Sequence, residues 1–215
     1  MKLALHPLDA DTAAQLRRKP RRAGEASFFF DVPAFGRVSV KVLPGEFYVC
    51  DQDLAVSTTL GSCVAACLHD PVAGIGGMNH FMLPEAGAGE AGGRFGVHAM
   101  ELLINEMLKR GARRHALEAK IFGGGQVVRS LAGTQIGEKN VAFVQQFLAQ
   151  EGITVRGSDV LDFCPRKVCF FPRSGHALCK RLPSTNAGEF ELQEARYRDR
   201  LRKQGPSSGS VELFS

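Results

Sequence analysis

The chain contains no apolar run approaching the roughly 18–20 residues that crossing a bilayer takes. Its first residues carry one lysine and then alternate apolar with polar, without the apolar stretch of a secretory leader. The expectation is a cytoplasmic protein with no membrane insertion. Metal-binding spacings are missing as well. Of the six cysteines, Cys63 and Cys67 are separated by three residues and Cys164 and Cys169 by four, and no histidine pair stands at ligand spacing nearby. A disulfide framework is not expected in a cytosolic chain of this size, so most of these cysteines read as small buried hydrophobes. Zinc-finger spacing, an RNA-binding aromatic motif and a glycine-rich phosphate loop are all lacking, which argues against a nucleic-acid partner.

What the chain does have is the composition of an ordinary globular protein: 215 residues, 44% hydrophobic and 23% charged. That length suits one domain with extensions. The formal charge of +5 is concentrated locally. Arg17, Arg18, Lys19, Arg21 and Arg22 surround Pro20, and a second cluster from Arg196 to Lys203 is interleaved with acids. Such clusters read first as solvated segments. The expected organisation is a basic, flexible arm over 1–26, a single domain over 27–183, and a charged tail over 184–215. Within the tail, 189–203 could form a helix and 205–210 is linker-like. The apolar end at 211–214 is either a docking peptide or a loose terminus.

Inside the domain, 37–43 alternates as a strand, Pro44-Gly45 marks a turn, and 47–50 is a second strand. Apolar residues at helical spacing predict a helix over 97–110, closed by Gly111. Another helix is predicted over 141–151, capped by Asn140 and stopped by Gly152. Strands are expected at 153–155 and 167–171. Residues 120–122 read as a strand end running into the close-approach loop Gly123-Gly124-Gly125.

The most informative stretch is 54–84. Asp70-Pro71 is a strong turn signal between two short apolar runs rich in small residues. A hairpin with Asp70 and Ala73 flanking the turn brings Cys63 directly opposite His80, unless a bulge at Gly76-Gly77 shifts the register. A thiol and an imidazole so placed can act together as nucleophile and base. Strand alternation puts Ser57, Thr59, Gly61 and Cys63 on one face, so a hydroxyl from Ser57 or Thr59 could orient the base. Gly61 and Ser62 leave backbone amides open for an oxyanion. Inert packing of the cysteine and a hydrogen-bonded core histidine explain the same spacing equally well.

Leu60-Gly61-Ser62-Cys63-Val64, Asp70, and the run from Gly76-Gly77-Met78-Asn79-His80 to Pro84 resemble the CheD family of chemoreceptor glutamine deamidases. Leu43 to Phe47, Lys120 to Gly124, Ile136-Gly137 with Asn140, and Pro165 to Gly175 extend the resemblance over roughly 37–182. It implies an α+β fold, a layered, mixed and largely antiparallel sheet with helices packed outside, of the cysteine-hydrolase deamidase type. It implies hydrolysis of receptor glutamine side chains to glutamate and ammonia, tuning adaptation, with Cys63 as nucleophile and His80 as base and without metal or organic cofactor. The implied partners are the cytoplasmic helices of chemoreceptors and, in some bacteria, a CheC-type phosphatase.

The family often has a threonine six residues before the nucleophile. Ser57 stands there in this chain, which makes it the expected third catalytic residue, with Thr58 and Thr59 as alternatives. Gly61, Ser62, Asn79 and Thr59 are the candidates for substrate and oxyanion contacts. A chiefly non-catalytic regulator of a phosphatase or receptor array, and a different thiol enzyme such as a protease, are the competing readings.

Overall fold

The structure, a computed structural model, describes residues 10–32, 36–83, 90–127, 135–183 and, nearer the C-terminus, 194–197, 199 and 201. The linker-like 205–210 and the apolar 211–214 lie outside them. Helix α1 (Ala10–Arg18) precedes strands β1 (Phe28–Val32), β2 (Arg37–Lys41), β3 (Phe47–Cys50), β4 (Ala55–Leu60), β5 (Val64–Asp70) and β6 (Ile75–Asn79). Then come α2 (Glu90–Lys109), β7 (Glu118–Gly123), α3 (Ile136–Gln150), β8 (Thr154–Val160), β9 (Arg166–Phe171) and β10 (His176–Arg181).

The strands form two five-stranded sheets, ordered β1-β2-β4-β9-β10 and β3-β6-β5-β7-β8. The β2–β4 and β7–β8 pairs are parallel and the other pairs antiparallel. This is the expected mixed, largely antiparallel α+β class.

Side-chain alternation on β5 shows how the layers stack. Val64, Ala66 and Leu68 join a core with Met100, Leu103, Ile104 and Met107 of α2 and Val141, Val144 and Leu148 of α3. Ala65 and Cys67 point the other way, into a second core with Val40 of β2, Val56 and Leu60 of β4 and Val168 and Phe170 of β9. The second sheet therefore lies in the middle, with helices on one face and the first sheet on the other. Both helices extend further upstream than predicted. Asn140 lies inside α3, fully buried, rather than capping it. The glycine stops hold: Gly111 and Gly152 take positive φ of 99° and 68°.

The described part of the basic arm packs on the domain. Arg17 pairs with Asp31 at 3.1 Å and Arg22 with Glu106, and the Arg21 guanidinium lies 4.7 Å from the Phe29 ring centre.

The hairpin register corrects the sequence reading. Asp70 pairs with Ile75, not Ala73, and the offset is kept through Cys67–Met78 to the bridge Val64–Phe81, with no bulge at Gly76-Gly77. The reason lies in the turn. Asp70 Oδ1 accepts the N–H groups of Val72 (2.8 Å) and Ala73 (3.0 Å), and Gly74, at φ 65°, closes the loop through its N–H to the Asp70 carbonyl (2.9 Å). A four-residue loop results where two residues had been expected. The shift is an even number of positions, so each side chain keeps its face.

Asp70 is fully buried. Burial alone would raise its pKa, but the N–H groups of Ala73, Arg113 and Val72 outweigh this and hold it at about 2. A depressed carboxyl stabilises the fold above its unfolded pKa, and that contribution is lost as pH falls through about 2. Asp70→Ala removes the acceptor of three part-buried N–H groups and is expected to cost about 1–3 kcal/mol at neutral pH. Urea unfolding of the two proteins measures it.

Candidate active site

The chain changes sheets in three residues. Strand β4 of the first sheet ends at Leu60, residues 61–63 form a bend, and β5 of the second sheet begins at Val64. All three carbonyls of the bend are tied down. The Gly125 N–H donates to the Gly61 carbonyl (2.7 Å) and the Gly124 N–H to the Cys63 carbonyl (2.8 Å). Asn140 Nδ2 donates to the Ser62 carbonyl (2.8 Å), while its Oδ1 accepts the Leu83 N–H (2.8 Å).

The close-approach loop predicted at the triple glycine thus wraps the bend. Gly123, at φ 106°, has no room for a Cβ, which would collide with the Cys63 carbonyl. With the carbonyls engaged on one side, the N–H groups of Gly61 and Cys63 are presented together elsewhere. Both point at one carboxylate oxygen, Glu194 Oε1, at 3.1 and 3.3 Å. The Ser62 hydroxyl donates to Glu194 Oε2 at 2.7 Å. This is a pair of amides arranged to stabilise negative charge on oxygen.

Cys63 and His80 share a face, though not a rung. Val64 exchanges both backbone hydrogen bonds with Phe81 (3.0 and 2.9 Å), so Cys63 and His80 each precede one member of a bonded pair. The register places Ala65 across from His80, and Cys63 diagonal to it. Such diagonal positions have Cα atoms about 7–8 Å apart, within reach of an imidazole. Cys63 belongs to the inter-sheet core with Ala65, the residue across from His80. Cys63 is fully buried and His80 is 2% exposed.

The residue that orients His80 is Thr58, at 2.8 Å from Nδ1. The Thr58 hydroxyl also lies 2.7 Å from the Val42 carbonyl, to which it can only donate. Its single proton is thereby committed, and it accepts from His80 Nδ1–H. Nε2 consequently carries the lone pair, and this buried atom has no hydrogen-bond partner among the described residues. Burial lowers the His80 pKa to about 4, against the opposing pull of the Val42 carbonyl. The ring is neutral at physiological pH, with its basic nitrogen bare.

Not every candidate residue joins this arrangement. Ser57, expected as the third catalytic group, points to the other face of β4. Its hydroxyl lies 3.2 Å from that of Ser39 and 3.5 Å from the Val40 carbonyl. Thr59 shares that face by alternation. Counting strand parity from Cys63 failed because residues 61–63 are not strand. Asn79 faces the helices: its Oδ1 accepts the Ala66 N–H (3.0 Å) and its Nδ2 donates to the Ala99 carbonyl (3.1 Å). Gly61 and Ser62 are in place, with Cys63 rather than Ser62 supplying the second amide.

Sequence reasoning missed the roles of Asn140 and Glu194. A polar side chain within the apolar face of α3 was a signal for the first. For the second, the signal was the stripe Glu194, Tyr197 and Leu201 in an otherwise charged segment.

Comparison with known proteins adds a family. The family model described as CheD chemotactic sensory transduction matches residues 82–181. A protein of Albidiferax ferrireducens, named a probable chemoreceptor glutamine deamidase CheD 1, is 47% identical over 200 residues, covering 93% of this chain and 86% of that one. A protein from Methylobacillus flagellatus with the corresponding name is 49% identical, covering 87% of this chain and 95% of its own. The chain belongs to the CheD family. Another similar protein, from Laribacter hongkongensis, is 50% identical over 82% of this chain and 87% of its own. Among solved structures, the hypothetical protein YfiH of Bacillus licheniformis overlaps at a TM-score of 0.37 with 17% identity, over 54% of this chain and 51% of that one. That overlap is too loose to say anything of the site.

Four other thiols of this CheD-family protein, Cys50, Cys67, Cys169 and Cys179, are disfavoured as thiolates. Burial pushes Cys50 up to about 12 and Cys67 upward, and it raises Cys169 and Cys179 to about 11. The depressed His80 pKa has a thermodynamic consequence. Between about 4 and 6.5 the unfolded chain binds a proton at His80 that the folded chain does not, so stability falls as pH drops through that window. Thermal unfolding recorded from pH 7 to 4 should therefore show a shallower loss of Tm in His80→Asn than in the wild type.

Proposed function

We propose that this protein hydrolyses glutamine side-chain amides of bacterial chemoreceptors to glutamate and ammonia, as a protein-glutamine glutaminase with Cys63 as nucleophile. The names carried by relatives at 47–50% identity support the substrate and the reaction. One observation carries the mechanism. Thr58 fixes the tautomer of a neutral His80, so that Nε2 offers a lone pair on the face that Cys63 shares.

In this reading the substrate amide enters with its carbonyl oxygen toward the N–H groups of Gly61 and Cys63. His80 Nε2 takes the thiol proton as Sγ attacks the amide carbon. The oxyanion forms against the two amides. The C–N bond breaks, and ammonia leaves with the proton returned from His80. A water molecule, deprotonated by the same nitrogen, then cleaves the thioester and releases glutamate and the Cys63 thiol. A neutral base fits this sequence, because it can accept a proton at the moment of attack. Peptide bonds are not the target in this reading: Cys63 and His80 are both buried, which suits an extended side chain better than a backbone.

Beside Ser62 opens a cleft of about 110 Å³, floored by Gly124 and Gly125 and bordered by Leu161 and Phe163. Phe163 is 69% exposed, an apolar rim suited to a receptor helix. The new glutamates would serve as methylation sites in adaptation, and the work would be done in the cytoplasm, where those receptor helices lie.

Mass spectrometry of a purified receptor fragment tests the reading. Wild-type protein should convert amide to acid at defined glutamines with no chain cleavage, and Cys63→Ala should abolish this while the circular dichroism stays unchanged. His80→Asn should lower kcat by about 10²–10⁴-fold. Thr58→Val should lower kcat more than Ser57→Ala, and the reverse order would remove Thr58 from the mechanism.

A further inference from the structure

The oxyanion amides are occupied by the chain itself. Glu194 is 4% exposed, and its carboxylate takes the Gly61 and Cys63 N–H groups and the Ser62 hydroxyl. All three donors are neutral, so they can hold an amide oxygen, an oxyanion or a carboxylate. Residues 194–197, 199 and 201 are helical, and Glu194, Tyr197 and Leu201 fall along one stripe. Tyr197 lies against Gly45, where a Cβ would come within 2.6 Å of its ring, and Leu201 is 7% exposed. Gly45 in turn donates its N–H to the His80 carbonyl at 2.7 Å. The same short segment thus covers the bend that carries Cys63 and the turn that holds His80.

The chemistry of the occupant is specific. A glutamate side chain on a helix is what the proposed reaction leaves behind when its substrate is a glutamine on a helix. We propose that the segment around Glu194 is an intramolecular occupant of the substrate site, seated as a product analogue. A receptor glutamine then enters only when the segment leaves. This rests on the deamidase reading for the word product, and on geometry alone for the occupancy. Displacement of the segment, by substrate or by any partner that binds it, sets the fraction of open enzyme.

Two readouts separate the occupancy from the reaction. The first is alkylation of Cys63 by iodoacetamide, located by peptide mapping, in the full-length wild type, Glu194→Ala and Tyr197→Ala. The rate at Cys63 should rise about tenfold in both variants, in proportion to the open fraction. Tyr197→Ala loosens the segment without touching the amides, so it decides the question if Glu194→Ala does not fold. An unchanged rate in the folded variants overturns the occupancy, whatever the activity on receptors. Faster alkylation without receptor deamidation in any variant upholds the occupancy and sinks the reaction.

The second readout is Glu194→Gln, which places an amide where the carboxylate sits. Cys63 Sγ would attack the carbon of that amide, ammonia would leave with the His80 proton, and water would return a glutamate. Position 194 should therefore read as glutamate by mass in this variant, and keep its amide when Cys63→Ala is added. Persistence of the amide in a protein that deamidates receptors would overturn the placement. Persistence in a protein inert towards receptors counts against the reaction, and the alkylation rates then decide the occupancy.

Discussion

Everything in the site depends on three carbonyls being held. Residues 61–63 carry the chain from one sheet to the other, and a bend that sharp would ordinarily leave its peptide groups to solvent. Here Gly125, Gly124 and Asn140 take the carbonyls of Gly61, Cys63 and Ser62. A peptide plane fixed at its oxygen is fixed at the following nitrogen too, so the Ser62 carbonyl held by Asn140 gives the Cys63 amide its direction, while the Gly61 amide shares its plane with the carbonyl of Leu60, at the end of β4 beside Arg166. The cost of ordering these groups is met when the core folds, so on the proposed reading the amides stand preorganised for an oxyanion. The glycines are needed because two backbones meet: a side chain at Gly123 or Gly137 would drive them apart.

His80 shows the same logic applied to a proton. Its ring is buried, and burial removes the charged form from consideration near neutrality. Thr58 then decides which nitrogen is basic, because its own proton already belongs to Val42. Neither residue is unusual alone. A single backbone carbonyl accepting one hydroxyl proton sets the tautomer of the ring.

Much of the layout was legible in the sequence, and the misses share a cause. Strand β3 stands where a short strand was expected after the Pro44-Gly45 turn, at Phe47–Cys50, and the glycine stops of both helices fall at Gly111 and Gly152. The error of two positions in the turn moved Cys63 from directly opposite His80 to a diagonal position, and because the shift is even it left both on one face. Counting alternation through residues 61–63 did do harm. It put Ser57 and Thr59, not Thr58, on the face of Cys63, since the count assumes a strand where the chain bends, and the family position six residues before the cysteine then singled out Ser57. Asn79 was misplaced for a related reason: it neighbours His80, and neighbours on a strand face opposite layers. Glu194 lies 131 residues from Cys63 in sequence, and no local pattern connects the two.

That separation bears on when the molecule becomes competent. The groups that converge on the bend come from β4, β5, the end of β6, the glycine loop, α3 and the C-terminal segment, so no fragment or single hairpin contains them. Contacts so distant along the chain cost loop-closure entropy and exist only when both sheets and the C-terminal segment are assembled. Cys63 therefore has its surroundings only in the assembled fold. A partly folded chain would carry an ordinary cysteine, and reactivity would arrive only with the finished architecture around it.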